Sequence, residues 1–183
     1  DKSFCLEQLP FELQNRTMDG QFSMLIWTSI TAGFILAFPV ILWELWKFVS
    51  PALYEKERKN IKYFIAIASL LFFMGVAFGY FILTPLSINF LANLTISTQV
   101  ENQIDIDSYI GLVKTTSLAT GLVFELPIVI FFLAKIGIVT AQFLRDYRKY
   151  AIVIILIIAA IVTPPDVISQ IIVTIPLWIL YEV

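Results

Sequence analysis

The amino-acid sequence predicts an all-α integral membrane protein, a bundle of transmembrane helices in a single domain that covers residues 1–183. Two observations support this fold class. Of the 183 residues, 59% are hydrophobic and only 14% are charged, whereas a soluble domain has about 25% charged residues. In addition, several uncharged stretches exceed the roughly 20 residues that a helix needs to span a bilayer.

Five apolar stretches are candidate spans. The first two contain long uncharged runs, Phe22 to Trp43 and Tyr63 to Ala92, and the third is interrupted only by Lys114 and Glu125. The last two are shorter than a normal span and require local thinning of the bilayer or deep packing in a bundle. We place the five spans at about residues 22–48, 63–92, 109–135, 150–163 and 167–182.

The last apolar tract is interrupted by the run Thr163-Pro164-Pro165-Asp166. Consecutive prolines remove backbone donors and bias Thr163 away from the helical region, while Asp166 is well placed to cap a new helix. We therefore predict a hairpin of two short helices joined by a tight turn. The alternative is one long kinked helix, which would place the C-terminus on the opposite side of the membrane.

Basic residues are concentrated in two connecting segments, at about residues 49–62 and 136–149. Because Lys and Arg near the ends of spans are retained in the cytoplasm, we predict that both segments are cytoplasmic loops. Residues 1–21, residues 93–108 and the turn at 163–166 are then outside, and the C-terminus is inside. Since no span precedes residue 1 on the outside, we expect that an upstream span is missing.

The residue inventory argues against most enzyme chemistry. The chain has no His and one Cys, which argues against imidazole catalysis, axial His ligation of haem and Cys-rich zinc sites. The seven glycines form no phosphate-binding or dinucleotide-binding motif. A net charge of -2 without a basic cluster also argues against nucleic acid as a partner. We expect no metal, no cofactor and no enzymatic activity.

A carboxylate lies near the middle of the third span. An ionised carboxylate at that depth costs about 2.5–3.5 kcal/mol, so Glu125 is expected to face protein or water. Helical spacing places Ser117 and Gly121 in its row, with Thr116 and Thr120 in the neighbouring row. One interpretation is an internal hydrogen bond between helices; the interpretation we favour is a polar docking or gating residue.

The last span carries a second polar stripe. Asp166, Ser169, Gln170 and Thr174 share one helical face, with Thr163 beside them at the turn. Such a stripe in lipid indicates a protein neighbour, either within the chain or on a separate membrane helix. Gly75 and Gly79 form a GxxxG pattern in the second span, and here we favour internal packing.

The first cytoplasmic loop reads Phe48-Val49-Ser50-Pro51-Ala52-Leu53-Tyr54-Glu55-Lys56-Glu57-Arg58. Taken alone, its charged part is typical of a solvated segment. The loop nevertheless resembles the FxxPALYxxER segment of the TatC family, the core subunit of the twin-arginine protein translocase. The prolyl turn followed by Ser169-Gln170 resembles the TPPD turn of that family, and Phe124-Glu125-Leu126-Pro127 matches as well. The resemblance covers nearly the whole chain.

The resemblance implies a cup-shaped fold of six spans, of which five are present here, without the N-terminal segment and the first transmembrane helix. It also implies a function. The family acts in the cytoplasmic (inner) membrane as the receptor for folded cargo proteins with twin-arginine signal peptides, and export is driven by the proton gradient. The implied partners are these signal peptides, single-span TatA-type and TatB-type subunits, other copies of the chain, and membrane lipid.

The resemblance also assigns roles to individual residues. Glu57 is implied to recognise the arginine pair, with Phe48 bordering the same surface. The intramembrane polar positions Glu125, Thr163 and Gln170 are implied to dock partner helices. Pro164, Pro165 and Asp166 are implied to form a structural turn.

An alternative function from a different class is a proton-coupled small-solute transporter that uses Glu125 as its proton site. Against it, the sequence shows no inverted repeat, predicts no broken helix at the midplane, and has no second acid deep inside the bilayer.

Overall fold

The protein is described by a computed structural model that covers residues 13–49, 61–94, 104–164 and 166–182. Most of these residues are helical. The helices are α1 (Gly20–Val49), α2 (Ile61–Phe78), α3 (Thr84–Asn93), α4 (Ile106–Phe124), α5 (Leu126–Lys135), α6 (Ala141–Asp146), α7 (Arg148–Val162) and α8 (Val167–Glu182). Two short strands, β1 (Leu13–Gln14) and β2 (Ile104–Asp105), pair in parallel and join the residues before α1 to those before α4.

Within the described residues, three helical runs are long and apolar enough to cross a membrane. They are Gly20–Phe48, Tyr63–Asn93 and Ile106–Lys135, with mean hydropathies of 2.1, 2.3 and 2.1. Helix α8 is also apolar but shorter. The predicted class of a helical membrane protein is therefore confirmed, whereas the limits of the five spans in a bilayer stay a prediction.

The second run contains a π-helical turn, Gly79–Leu83, between α2 and α3. Thr84 donates to the carbonyl oxygen of Gly79 twice, through its backbone N–H and through its hydroxyl at 2.9 Å. The next residue, Pro85, has no N–H to continue the regular ladder. The wider turn thus lets the helix continue past a proline, which is a common setting for a π-bulge.

The third run is one candidate span, as predicted, but its helix is broken near the middle, so the expectation that no helix is broken there was wrong. Helix α4 ends at Phe124, and α5 begins at Leu126. Pro127 cannot donate a backbone hydrogen bond, and the N–H of Glu125 turns to the carbonyl oxygen of Leu122 at 3.1 Å. The missing donor explains the break, and it places the carboxylate of Glu125 at the junction of the two helices.

Helix α2 and the π-helical turn that follows it approach α4 closely along three glycines, Gly75, Gly79 and Gly121, which we call the glycine seam. A Cβ atom on Gly75 would lie 2.9 Å from the Cα atom of Gly121. Beside the seam, the fully buried ring of Phe72 stacks on Phe38 of α1, with ring centroids 3.5 Å apart. The GxxxG pattern therefore serves internal packing, as the sequence predicted.

Helices α7 and α8 fold back on each other as an antiparallel hairpin. Near the turn, Nε2 of Gln170 donates to the carbonyl oxygen of Leu156 at 3.0 Å. At the open end, Arg148 forms an ion pair with Glu182. The structure thus contains the hairpin and not one long kinked helix. A buried apolar cluster joins it to the rest of the bundle through Leu83, Phe124, Ala159, Val173 and Leu177.

Candidate functional site

The carboxyl group of Glu125 lies at the junction of α4 and α5. Its side chain is half-buried, and its Oε1 atom is buried without a hydrogen-bond partner among the described residues. A buried polar atom without a partner is unfavourable, and native proteins seldom leave one unexplained. The internal bond that was one interpretation of Glu125 is absent from the part of the chain that the structure describes.

Two of the hydroxyl groups that share the stripe with Glu125 donate hydrogen bonds within their own helix. Ser117 donates to the carbonyl oxygen of Val113 at 2.7 Å, and Thr120 donates to that of Thr116 at 2.7 Å. Thr116, Ser117 and Thr120 are buried, and α4 meets the glycine seam at these positions. The predicted stripe therefore has two parts: the hydroxyls pack inside the bundle, and Glu125 carries the unpartnered oxygen.

The turn between α7 and α8 is held by local hydrogen bonds. The hydroxyl of Thr163 donates to the carbonyl oxygen of Ala159 at 2.9 Å, and Thr163 is buried. Oδ2 of Asp166 accepts from the backbone N–H of Ser169 at 2.7 Å, so Asp166 caps the N-terminus of α8. Pro164 is half-buried between them, and Pro165 lies outside the described residues.

The polar face of α8 with its cap makes one hydrogen bond to α7 and has two buried oxygen atoms without a partner among the described residues. Gln170 uses its amide N–H to bind α7. Oδ1 of Asp166 and Oγ of Ser169 are buried without partners among the described residues. Ser169 is fully buried. Its helical spacing placed it on the polar face, but it was not among the predicted site residues.

The predicted signal-peptide residues are on a different part of the chain. Phe48 is at the last turn of α1, and its side chain is 85% exposed. Lys47 beside it forms an ion pair with Glu44 at 2.6 Å. Glu57 lies outside the described residues. Within the described ranges, no group of three or more His, Cys, Asp or Glu side chains could hold a metal ion.

A protein family model matches residues 3–176 of the chain, and its description is "TatC: Sec-independent protein translocase protein (TatC)". Among curated proteins, a Sec-independent protein translocase protein TatC from Blattabacterium sp. subsp. Periplaneta americana (strain BPLAN) is 46% identical over 180 residues, which are 98% of this chain and 68% of that protein. TatCy of Bacillus subtilis (strain 168) is 44% identical over 151 residues, which are 82% of this chain and 59% of that protein.

The fold is also similar to a solved structure. The crystal structure described as "Twin Arginine Translocase Receptor- TatC in DDM" superposes with a TM-score of 0.76 at 39% sequence identity. The match covers 94% of this chain and 76% of that chain. The chain thus spans roughly three fifths to two thirds of the two curated relatives and about three quarters of the solved chain.

Proposed function

The chain belongs to the TatC family of Sec-independent protein translocase proteins, and on that premise we propose that it acts as the core receptor subunit of a twin-arginine translocase. The family match over residues 3–176 is the observation that carries the proposal. In this role the chain sits in the cytoplasmic (inner) membrane and binds twin-arginine signal peptides of folded cargo. Export is driven by the proton-motive force, and the chain itself performs no catalysis.

In this proposal, Glu57 and Phe48 form the surface that binds the signal peptide. A guanidinium and a carboxylate make a bidentate, charge-assisted pair that Lys cannot reproduce, which suits selection of two adjacent arginines. The exposed ring of Phe48 offers an apolar and aromatic face on which an arginine side chain can pack.

The signal-peptide site is tested by photocrosslinking a twin-arginine peptide to the protein in membrane vesicles. We expect Glu57→Gln to reduce crosslinking about tenfold, because a charge-assisted hydrogen bond contributes roughly 1.5–3 kcal/mol. Glu55→Gln is the matched control, since it removes the same charge two residues away and should leave crosslinking nearly unchanged. Equal crosslinking in wild type and Glu57→Gln would remove Glu57 from the site.

A second surface, at Glu125, Thr163 and Gln170, is proposed to dock a single-span partner of the TatA or TatB type. The support is the buried Oε1 atom of Glu125, which has no partner among the described residues. Thr163 and Gln170 each donate one hydrogen bond within the chain. Both keep oxygen atoms that can accept a hydrogen bond from a polar group on a partner helix.

The docking surface is tested by co-purification of a single-span partner with variants of Glu125. We expect Glu125→Leu to lower recovery of the partner about threefold or more, because interhelical polar contacts in lipid average about 0.6 kcal/mol and reach about 1.7 kcal/mol. Glu125→Gln keeps the hydrogen-bonding capacity and should retain most of the partner.

Thr115→Val is a matched control on the same helix, since the exposed hydroxyl of Thr115 bonds only to its own helix among the described contacts. Full recovery of the partner with Glu125→Leu would refute a docking role.

The transporter hypothesis is not favoured by the comparisons, because the relatives named above are translocase proteins.

A further inference from the structure

An apolar groove lies between α5, α6, α7 and α8. It has a volume of about 340 Å³ and is lined by aliphatic side chains and aromatic rings, among them Ile130, Phe143, Tyr150, Ile154 and Leu177. Apart from the tyrosine hydroxyls, these side chains offer no polar atom to a ligand. The groove is therefore suited to a hydrocarbon chain and unsuited to a soluble anion or a polar peptide.

A second depression of about 320 Å³ shares Leu144 and Tyr181 with the apolar groove and adds Arg145, Arg148 and Glu182 to its lining. Lys135 is nearby, because its Nζ atom lies 5.9 Å from the ring centroid of Phe131, another residue of the lining. Two guanidinium groups thus line the depression, a third cation stands beside it, and one carboxylate opposes them. We call the two depressions together the amphipathic groove.

The junction of the two depressions is held in place by two contacts. The hydroxyl of Tyr181 donates to the carbonyl oxygen of Leu144 at 2.9 Å, which ties α8 to α6. Arg148 and Glu182 form the ion pair at the open end of the hairpin. Glu182 therefore neutralises Arg148, and the exposed guanidinium of Arg145 has no ion-pair partner among the described residues.

We propose that the amphipathic groove binds one anionic phospholipid, with an acyl chain in the apolar part and the phosphate at Arg145. An arginine fork matches phosphate oxygens, and basic pockets between membrane helices on the cytoplasmic side are known to bind anionic head groups. Residues 136–149 are predicted to be cytoplasmic, which places Arg145 at the depth of the head groups. This inference rests on a membrane location only and does not depend on signal-peptide binding.

The head-group part is tested by native mass spectrometry of the purified full chain, titrated with phosphatidylglycerol or phosphatidylcholine of the same acyl composition. We expect wild type to retain phosphatidylglycerol about tenfold better, and Arg145→Gln to lose that preference. Lys149→Gln is the matched control: it removes a neighbouring exposed charge that is absent from both linings. If both variants lose the preference for phosphatidylglycerol equally, the effect comes from general surface charge and the proposal is overturned. Equal retention of the two lipids by wild type would overturn it as well.

The acyl part is tested with Ala151→Phe, which places a ring in the apolar groove, against Val153→Phe on an exposed position of the same helix. We expect Ala151→Phe to lower phosphatidylglycerol retention about tenfold and Val153→Phe to leave it unchanged. Unchanged retention in Ala151→Phe, or displacement of the lipid by millimolar inorganic phosphate, contradicts a lipid site. A lipid-free dimer that Ala151→Phe converts to a monomer, seen by light scattering, would assign the groove to a second copy of the chain instead.

Discussion

Two helix pairs in this protein are held together in different ways. At the glycine seam, α2 and α4 approach so closely that a Cβ atom on Gly79 would lie 2.8 Å from the Cα atom of Ser117. In the hairpin, α7 and α8 are joined near the turn by the amide of Gln170 and at the open end by the ion pair of Arg148 with Glu182. The first contact depends on small residues and the second on polar groups.

The difference reflects the physics of helix association in a membrane. Lipid tails are as apolar as leucine, so helices associate through close packing or through hydrogen bonds rather than through the hydrophobic effect. The seam gains from close packing over several residues, and an atom added at Gly75 or Gly79 meets the backbone of α4. The hairpin depends on a few separate polar contacts, each of which contributes little. We therefore expect the seam to be the more sensitive region.

The largest loss of stability is expected at the glycine seam. Gly79→Ala should lower the free energy of unfolding by about 3 kcal/mol, because the added methyl group overlaps the backbone of α4 and forces it to move. Gly111→Ala is the matched control, since a Cβ atom there meets nothing within 4 Å. Denaturation in detergent, followed by the fluorescence of the four tryptophans, measures both variants. Equal stability of the two would show that the seam tolerates added volume.

A smaller effect is expected at the turn of the hairpin. Asp166→Ala should lower the free energy of unfolding by about 1–2 kcal/mol, because the backbone N–H of Ser169 loses its cap. Asp166→Asn keeps an acceptor in the same place and should retain most of the stability. If the Asn variant is as unstable as the Ala variant, the cap is not the source of the effect. The same denaturation experiment compares them.

The smallest effect is expected between the helices of the hairpin. Gln170→Leu should cost only about 0.6 kcal/mol, the average for a polar contact between membrane helices. Thr174→Val is the control, because Thr174 bonds only to the carbonyl oxygen of Gln170 in its own helix among the described contacts. A loss at Gln170 equal to that at Gly79 would contradict the distinction between the two helix pairs.

Much of this architecture could be predicted from local patterns. The helical membrane class follows from composition and run length, and the GxxxG spacing indicates the seam correctly. The prolines and Asp166 correctly predict a turn and a cap at the start of α8, because these residues lie within four positions of one another. The break at Glu125 was not predicted, because hydropathy stays high through Leu126 and Pro127 and the break depends on a missing backbone donor.

Less of the candidate site around Glu125 could be predicted from the sequence. Helical spacing places Thr116, Ser117, Thr120 and Glu125 on neighbouring rows, but it does not say which of these residues pack inside. The structure separates them: the hydroxyls of Ser117 and Thr120 bond carbonyl oxygens of their own helix, whereas Glu125 keeps a buried oxygen without a partner among the described residues. A hydroxyl can bond the backbone carbonyl oxygen at i−4, whereas the carboxyl group of Glu125 needs a hydrogen-bond partner from elsewhere.

The sequence by itself determined the features that depend on neighbouring residues: the membrane class, the apolar runs, the prolyl turn and the motifs of the family. The tertiary structure decided what depends on contacts between distant residues. It shows that Gly75 meets Gly121 and Gly79 meets Ser117, that Gln170 faces Leu156, and that Arg148 faces Glu182. The physical reason is that run length and turn chemistry depend on residues that are close together in the sequence. Which helix packs against which depends on contacts between segments that are far apart in the sequence.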